Sequence, residues 1–239
     1  MSTQRRVQQE PAYILHHRPF RDSSQILDVL SREHGKLALV ARGSRGGKSR
    51  LKGVLRPFMP LSMSWVQKTD LGTLTGAEVR GAPLSLGGDA LMAGYYVNEL
   101  LLHFLHRHDP QPGIFDLYGD VLMDLARAEN PAPALRRFEI SLLRHIGYAL
   151  NLDHDPTTHV ALDPDRRYEY RMEQGPVAVR KDGGALVFDG GTLLAISEMR
   201  FSQPEVLRAA SRLLRAVIDF HLGGKELKTR KVLIALHKR

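Results

Sequence analysis

Cysteine is absent from all 239 residues, which excludes disulfide staples, thiolate nucleophiles and cysteine-based zinc sites. Long hydrophobic runs are missing as well. No apolar stretch approaches the roughly 18–20 residues that span a bilayer, and the polar start Met1–Glu10 lacks the apolar core of a signal peptide. A cytoplasmic protein that does not engage membranes is therefore expected. No Ser-His-Asp order, paired-carboxylate motif or nucleophile elbow stands out, so the chain is not expected to be an enzyme. No internal repeat or low-complexity tract is present. One absence is local: between Arg42 and Arg56 there is no acidic residue.

What is present is the composition of an ordinary folded protein, 43% hydrophobic and 25% charged, long enough to bury a sizeable core. The net charge of +8 is unevenly distributed. Residues 1–80 hold 14 Lys/Arg against 6 Asp/Glu, residues 81–219 hold 14 against 19, and residues 220–239 hold 6 against 1. Basic ends around an acidic middle suit a protein that presents its ends to a polyphosphate.

Along the first eighty residues, short apolar runs alternate with turn residues. Tyr13–Leu15, Gln25–Leu30, Lys36–Ala41, the period-two series Leu61, Met63 and Trp65, and Leu74–Val79 read as five strands, punctuated by Gly35, the Gly43–Gly47 stretch, Pro57, Pro60 and Gly72. That pattern predicts a small antiparallel OB-fold barrel. After Pro83 the period becomes helical. Leu91–Leu105 and Ile114–Ala128 read as helices, and a third starts behind Asn130–Pro131 and stops at Gly147, with Leu135, Phe138, Leu142 and Ile146 as its apolar stripe and Arg136, Arg137 and Arg144 projecting away. Residues 151–197 read as a small irregular insert with weak strand signals at Tyr168–Arg171, Val177–Val179 and Leu186–Phe188. A helix resumes at Ser202, where Ser202 and Glu205 have capping-box spacing and Leu207, Ala210, Leu214 and Val217 form the buried stripe; Gly223–Gly224 stop it. The tail from Lys225 predicts a short basic amphipathic helix. The fold class is thus α+β: an OB-fold barrel over 1–82, a helical domain from 83–150 and 198–239, and a β-rich insert over 151–197.

The stretch Arg42–Arg56 carries Arg42, Arg45, Lys48, Arg50, Lys52 and Arg56 among four glycines. Glycines let backbone N–H groups approach a phosphodiester while the cations displace condensed counterions, giving affinity with little sequence preference. With Arg18 and Arg21 these are the candidate nucleic-acid-binding residues. Gly43–Ser49 ends in Gly-Lys-Ser, but only three residues separate Gly43 from Gly47, where the nucleotide-binding loop requires four before its Gly-Lys pair. ATP binding is not expected. Among the aromatics that could stack on bases, Tyr13, Phe20, Phe58 and Trp65, the alternation places Trp65 in the core and leaves Phe20 open between a base and the barrel. His103, His106 and His108, and His154 and His159 near Asp153 and Asp155, match no metal spacing, so neither metal nor cofactor is expected.

Taken in order, several segments resemble the RecO family of DNA repair and recombination mediators: His17-Arg18-Pro19-Phe20 with Ser23-Ser24; Leu37 to Lys52 with Val40-Ala41-Arg42-Gly43-Ser44-Arg45; Leu55-Arg56-Pro57-Phe58; Tyr96-Val97-Asn98-Glu99-Leu100-Leu101; Leu135-Arg136-Arg137-Phe138-Glu139 with Leu142-Leu143 and Gly147-Tyr148; and Leu222-Gly223-Gly224-Lys225 with Leu227-Lys228-Thr229-Arg230. The resemblance implies an N-terminal OB barrel, a helical domain and a small third region. It further implies binding to single- and double-stranded DNA, annealing of complementary strands, and work with RecR to load RecA on strands coated by single-stranded DNA-binding protein. That protein's acidic tail, ending in a phenylalanine carboxylate, would dock on the helical domain; a ring pocket beside a guanidinium suits Arg136, Arg137, Phe138 and Leu142, with Leu117 and Tyr118 as the other wall. Some family members bind zinc through four cysteines in the third region, which this chain lacks. An RNA-binding OB protein and a metal-dependent nuclease are the competing classes. Lys225, Lys228, Arg230 and Lys231 either touch DNA or only solubilise the last helix.

Overall fold

The computed structural model describes residues 5–47, 49–82, 84–179 and 184–237, with side chains as far as Val232. In chain order it runs β1 (Arg5–Phe20), β2 (Ser24–Ser31), β3 (Gly35–Ala41), β4 (Leu61–Gln67), β5 (Leu71–Val79), α1 (Gly88–Phe104), α2 (Pro112–Arg127), α3 (Ala132–His145), β6 (Arg167–Arg171), β7 (Gly175–Ala178), β8 (Val187–Asp189), α4 (Gly190–Ser197), α5 (Pro204–His221) and α6 (Lys228–His237). The chain divides into two compact units, residues 1–128 with 227–239, and residues 129–226.

In the first unit the strands close into a barrel in the order β1-β2-β3-β5-β4, with β4 pairing back onto β1 and only β3–β5 parallel. The five-stranded OB-like barrel is as the alternation predicts. Leu61, Met63 and Trp65 face inward and are fully buried, while Ser62 and Ser64 are half-buried between them. Ile14, Leu27, Val29, Leu37 and Leu39 complete the interior. The first strand is far longer than Tyr13–Leu15. It spans 16 residues, pairing with β4 over its first half and β2 over its second. Register shifts between Val7 and Glu10 and between Ile14 and His16 break its alternation, so no period-two signal survives in the sequence. Gly35 turns β2 into β3 at φ 65°, where a Cβ would lie 2.2 Å from the Asp109 carbonyl oxygen. Only glycine fits there.

The polar residues of Tyr96-Val97-Asn98-Glu99 join α1 to the barrel, to α2 and to α6. Asn98, 2% exposed, donates to the Leu15 carbonyl on β1 at 2.7 Å and accepts from the Tyr118 hydroxyl of α2 at 2.7 Å. One side chain therefore ties α1 to both neighbours. Glu99 reaches the start of α6: its carboxylate accepts from the backbone N–H groups of Lys228 (2.8 Å) and Thr229 (2.9 Å) and from the Thr229 hydroxyl (2.6 Å). These bonds satisfy helix-terminal donors that have no intrahelical partner. Tyr96 lies under the Arg230 guanidinium, 5.7 Å from ring centroid to carbon.

The second unit packs α3 against α5 and carries the small sheet β7-β6-β8 with α4 behind it. The three predicted strand signals all fall in this sheet, but α4 was not legible: Gly190-Gly191 opens it, and glycine weakens a helical reading. The predicted capping box at Ser202 does not form. Pro204, with its fixed φ, occupies the first helical position and makes Gln203 the N-cap; Glu205 instead pairs with Arg208 at 2.6 Å. On α3 the stripe shifts by one face: Phe138 and Leu142 are buried with Ala134, Ile140 and Leu143, whereas Leu135 and Ile146 are half-buried. Arg136 does not project away. Its side chain is 11% exposed and meets Glu139, itself fully buried, at 2.8 Å.

Candidate nucleic-acid interface

The basic stretch is mounted on the barrel rather than hanging from it. After Ala41 the chain proceeds as consecutive turns, with Gly46 N–H bonded to Gly43 O (3.2 Å), Ser49 to Gly46 (3.0 Å), Lys52 to Ser49 (3.2 Å) and Val54 to Leu51 (3.1 Å). Its apolar members anchor it: Leu55 is buried in the barrel core, and Leu51 and Val54 pack against that core. Ser44, 3% exposed, donates to the Ala41 carbonyl at 2.9 Å. With the apolar positions turned inward, Arg42, Arg45, Arg50, Lys52 and Arg56 are left exposed. Lys48 lies outside the described residues.

This loop is tied to the β1–β2 turn. The Arg45 backbone N–H donates to Ser23 O at 2.9 Å, and its guanidinium reaches Arg21 O at 3.5 Å. Arg21 sits in the turn at φ 53°, a left-handed conformation uncommon for a residue with a Cβ. Its guanidinium lies over the Phe20 ring, 5.2 Å from the centroid. Phe20 rests on the outer face of the barrel against Ile26, Ala38 and Val40 and remains partly exposed. It therefore packs on the barrel and still presents ring surface.

Between turn and loop opens a cleft of about 530 Å³, walled by Phe20, Arg21 and Arg42 on one side and Thr69, Leu71 and Thr73 on the other. No carboxylate among the described residues lines it. Cations, backbone turns and an aromatic ring around one cleft provide the elements of a single-strand groove: charge for phosphates and a flat apolar face for bases. The wall from β4–β5 escaped sequence reasoning, since only the parallel β3–β5 pairing (Ala38 with Leu71, Val40 with Thr73) brings it there. Arg18 is exposed but set apart by its carboxylate neighbour. Asp28 faces Arg18 (3.9 Å), His16 (3.5 Å) and Arg107 (3.9 Å) together.

The residues expected to hold a partner's tail are distributed between the units. Arg136, Arg137, Phe138 and Leu142 lie in the second, Leu117 and Tyr118 in the first. Phe138 and Leu142 are 1% exposed and Tyr118 is 0% exposed, so all three side chains belong to the cores of their units. Leu117 is half-buried. Arg137 is exposed, and its guanidinium stands 6.0 Å from the centroid of the Phe201 ring.

Comparison with known proteins agrees with this architecture. The family model described as Recombination protein O N terminal matches residues 4–82, and that described as Recombination protein O C terminal matches residues 87–231. The chain is similar to the DNA repair protein RecO of Aromatoleum aromaticum, 42% identical over 239 residues covering the whole of both chains. Against the DNA repair protein RecO of Azoarcus sp. strain BH72 the identity is 42% over 237 residues and 98% of each chain, and against that of Aliivibrio fischeri it is 41% over 222 residues and 93% of each. With a barrel and a helical region each matched by its own family model, and relatives aligned from end to end, the chain belongs to the RecO family of DNA repair proteins.

Proposed function

We propose that the chain is a recombination mediator that binds single- and double-stranded DNA through its barrel, anneals complementary strands, and has no catalytic activity of its own. In this reading residues 1–82 are the DNA-binding domain, 83–150 with 198–239 the helical domain, and 151–197 the insert. The observation that carries it is the basic loop 42–56, packed on the barrel with Arg42, Arg45, Arg50, Lys52 and Arg56 exposed and hydrogen-bonded to the Arg21 turn beside the Phe20 cleft. Arg21, Arg42, Arg45, Arg50, Lys52 and Arg56, with Lys48, meet phosphates; Arg18 contributes less, its charge being offset by Asp28. Annealing needs no nucleophile, because neutralising phosphate repulsion while leaving bases accessible suffices.

The partners proposed are those of the family: RecR, the acidic tail of single-stranded DNA-binding protein, and through them RecA. Tail docking centres on Arg137, whose guanidinium makes no ion pair among the described residues, while Arg136 is held by Glu139. The location is the bacterial cytoplasm; no helix among the described residues is long and apolar enough to cross a membrane.

The test measures binding and annealing of oligonucleotides, without ATP or metal, as salt is varied. Wild type anneals, and Arg42→Ala/Arg45→Ala binds single strands more weakly with a shallower log K against log salt line, each lost phosphate contact lowering the slope by about 0.7. Arg137→Ala anneals naked strands normally and is slow only on strands coated with single-stranded DNA-binding protein. An unchanged slope in the loop variant removes the loop from the interface, and tighter binding to RNA than to DNA overturns the assignment of substrate.

A further inference from the structure

Two segments of the second unit, Gly147-Tyr148 and Leu222-Gly223-Gly224-Lys225, have no part in the site above, yet the fold brings them together. α3 ends where Gly147 takes φ 87°, and the Tyr148 N–H turns back to Leu143 O at 2.8 Å. α5 ends at Gly223 and Gly224, with φ 60° and 86°. These left-handed caps bond the terminal carbonyls and carry the chain away from each helix end. The Tyr148 and His221 rings are left stacked, centroids 3.9 Å apart and planes 16° from parallel, with Phe220 edge-on to His221 at 5.2 Å.

Tyr148 is 45% exposed and Phe220 47% exposed, where large aromatics are ordinarily covered. Arg144, four residues before Tyr148, and Lys225, just beyond Gly224, are exposed and make no ion pair among the described residues. Beside the stack lies a pocket of about 260 Å³ lined by Tyr148, Tyr170, Met172, Gln174 and His221, with Glu173 its one carboxylate. His221 is uncharged near neutrality, since burial lowers its pKa and the Glu173 charge does not restore it. The pair is therefore a neutral, partly exposed π-stack, with exposed cations within four residues of each ring along the chain.

We propose that Tyr148 and His221 form a second binding place for single-stranded nucleic acid, in which a base extends the stack on Tyr148 and Arg144 and Lys225 meet the flanking phosphates. A flat aromatic face between cations recognises a base and its phosphates without reading sequence. Resting on the reading of the barrel as a DNA site, it gives one chain two strand-holding places, one per unit. Annealing requires two strands to be held at once.

The experiment is a titration of the full-length protein with a labelled oligonucleotide of ~10 nucleotides, short enough to fill one site, followed by crosslinking with a bromouracil-substituted oligonucleotide and mapping of the modified peptide. Wild type binds two oligonucleotides per chain and crosslinks within residues 144–151 or 216–225 as well as on the barrel. Tyr148→Leu, which keeps apolar volume, loses the second equivalent with about a tenfold drop in that site's affinity, as expected for one lost base stack; Tyr148→Phe retains it. Arg42→Ala/Arg45→Ala weakens the other site and leaves this one. A single equivalent, unaltered in Tyr148→Leu and crosslinked only to the barrel, overturns the second site, while the barrel reading stands. Absence of any binding by wild type overturns the barrel reading itself. Should Tyr148→Leu unfold, the crosslink map of wild type and the stoichiometry of Tyr148→Phe still decide.

Discussion

Asn98 and Tyr118 form a buried polar junction whose removal has a calculable cost. Asn98→Leu leaves two groups without partners, the Leu15 carbonyl and the Tyr118 hydroxyl, both bonded at 2.7 Å in the native protein. Each orphan costs about 1–3 kcal/mol, so the substitution should destabilise the first unit by roughly 2–6 kcal/mol. Tyr118→Phe strands only the Asn98 side-chain oxygen, at about 1–3 kcal/mol. In the double variant the tyrosine hydroxyl and the Asn98 oxygen are both gone, and neither orphaning counts. The two changes should fall short of additivity by about 2–6 kcal/mol. Burial holds the Tyr118 pKa well above the ordinary tyrosine value, the Asn98 hydrogen bond notwithstanding, so the hydroxyl stays protonated and donates throughout. Urea unfolding followed by fluorescence of Trp65, the only tryptophan, reports this unit because its ring lies in the barrel core. Additivity within about 0.5 kcal/mol would refute the coupling.

Glu99 carries a pH dependence. Burial raises its pKa, but the hydrogen bonds from Thr229 and Lys228 outweigh burial and hold it below the ordinary carboxylate value. A carboxylate with a depressed folded pKa contributes stability that is present above its unfolded pKa and lost as pH falls through the folded one. Exchange protection of the Lys228 and Thr229 amides should therefore collapse in acid below the usual carboxylate range, and Glu99→Gln should abolish that dependence; protection independent of pH in wild type would show that Glu99 does not hold α6. Gly35→Ala places a methyl 2.2 Å from the Asp109 carbonyl oxygen at φ 65°, so it should cost more than the ~1 kcal/mol of the left-handed conformation alone, read as a lower thermal midpoint. Arg136→Ala removes the 2.8 Å ion pair to the buried Glu139 and should lower the thermal midpoint clearly, whereas exposed Arg137→Ala should change stability by less than about 0.5 kcal/mol; equal effects in thermal unfolding would contradict the difference in burial.

The sequence by itself determined what depends on local period and composition. Alternation at Leu61, Met63 and Trp65 set the inside of β4, the 3.6-residue period set α2, α3 and α5, and glycine pairs ended α5. The acid-free run from Arg42 to Arg56 marked the candidate interface through charge alone, since exposed cations need no partner to be recognised. What only the tertiary structure decided depends on contacts between distant residues. Bulges hid most of β1, and Pro204 at the first helical position set the α5 N-cap at Gln203 in place of Ser202. The cleft needed the Thr69–Thr73 wall delivered by parallel pairing, and Arg136 was turned inward by a buried Glu139. The polar residues of Tyr96-Val97-Asn98-Glu99 are legible only once Leu15, Tyr118, Thr229 and Arg230 stand opposite them. Period reports which face of an element is buried, but a polar residue's role is fixed by the partner that long-range folding brings to it.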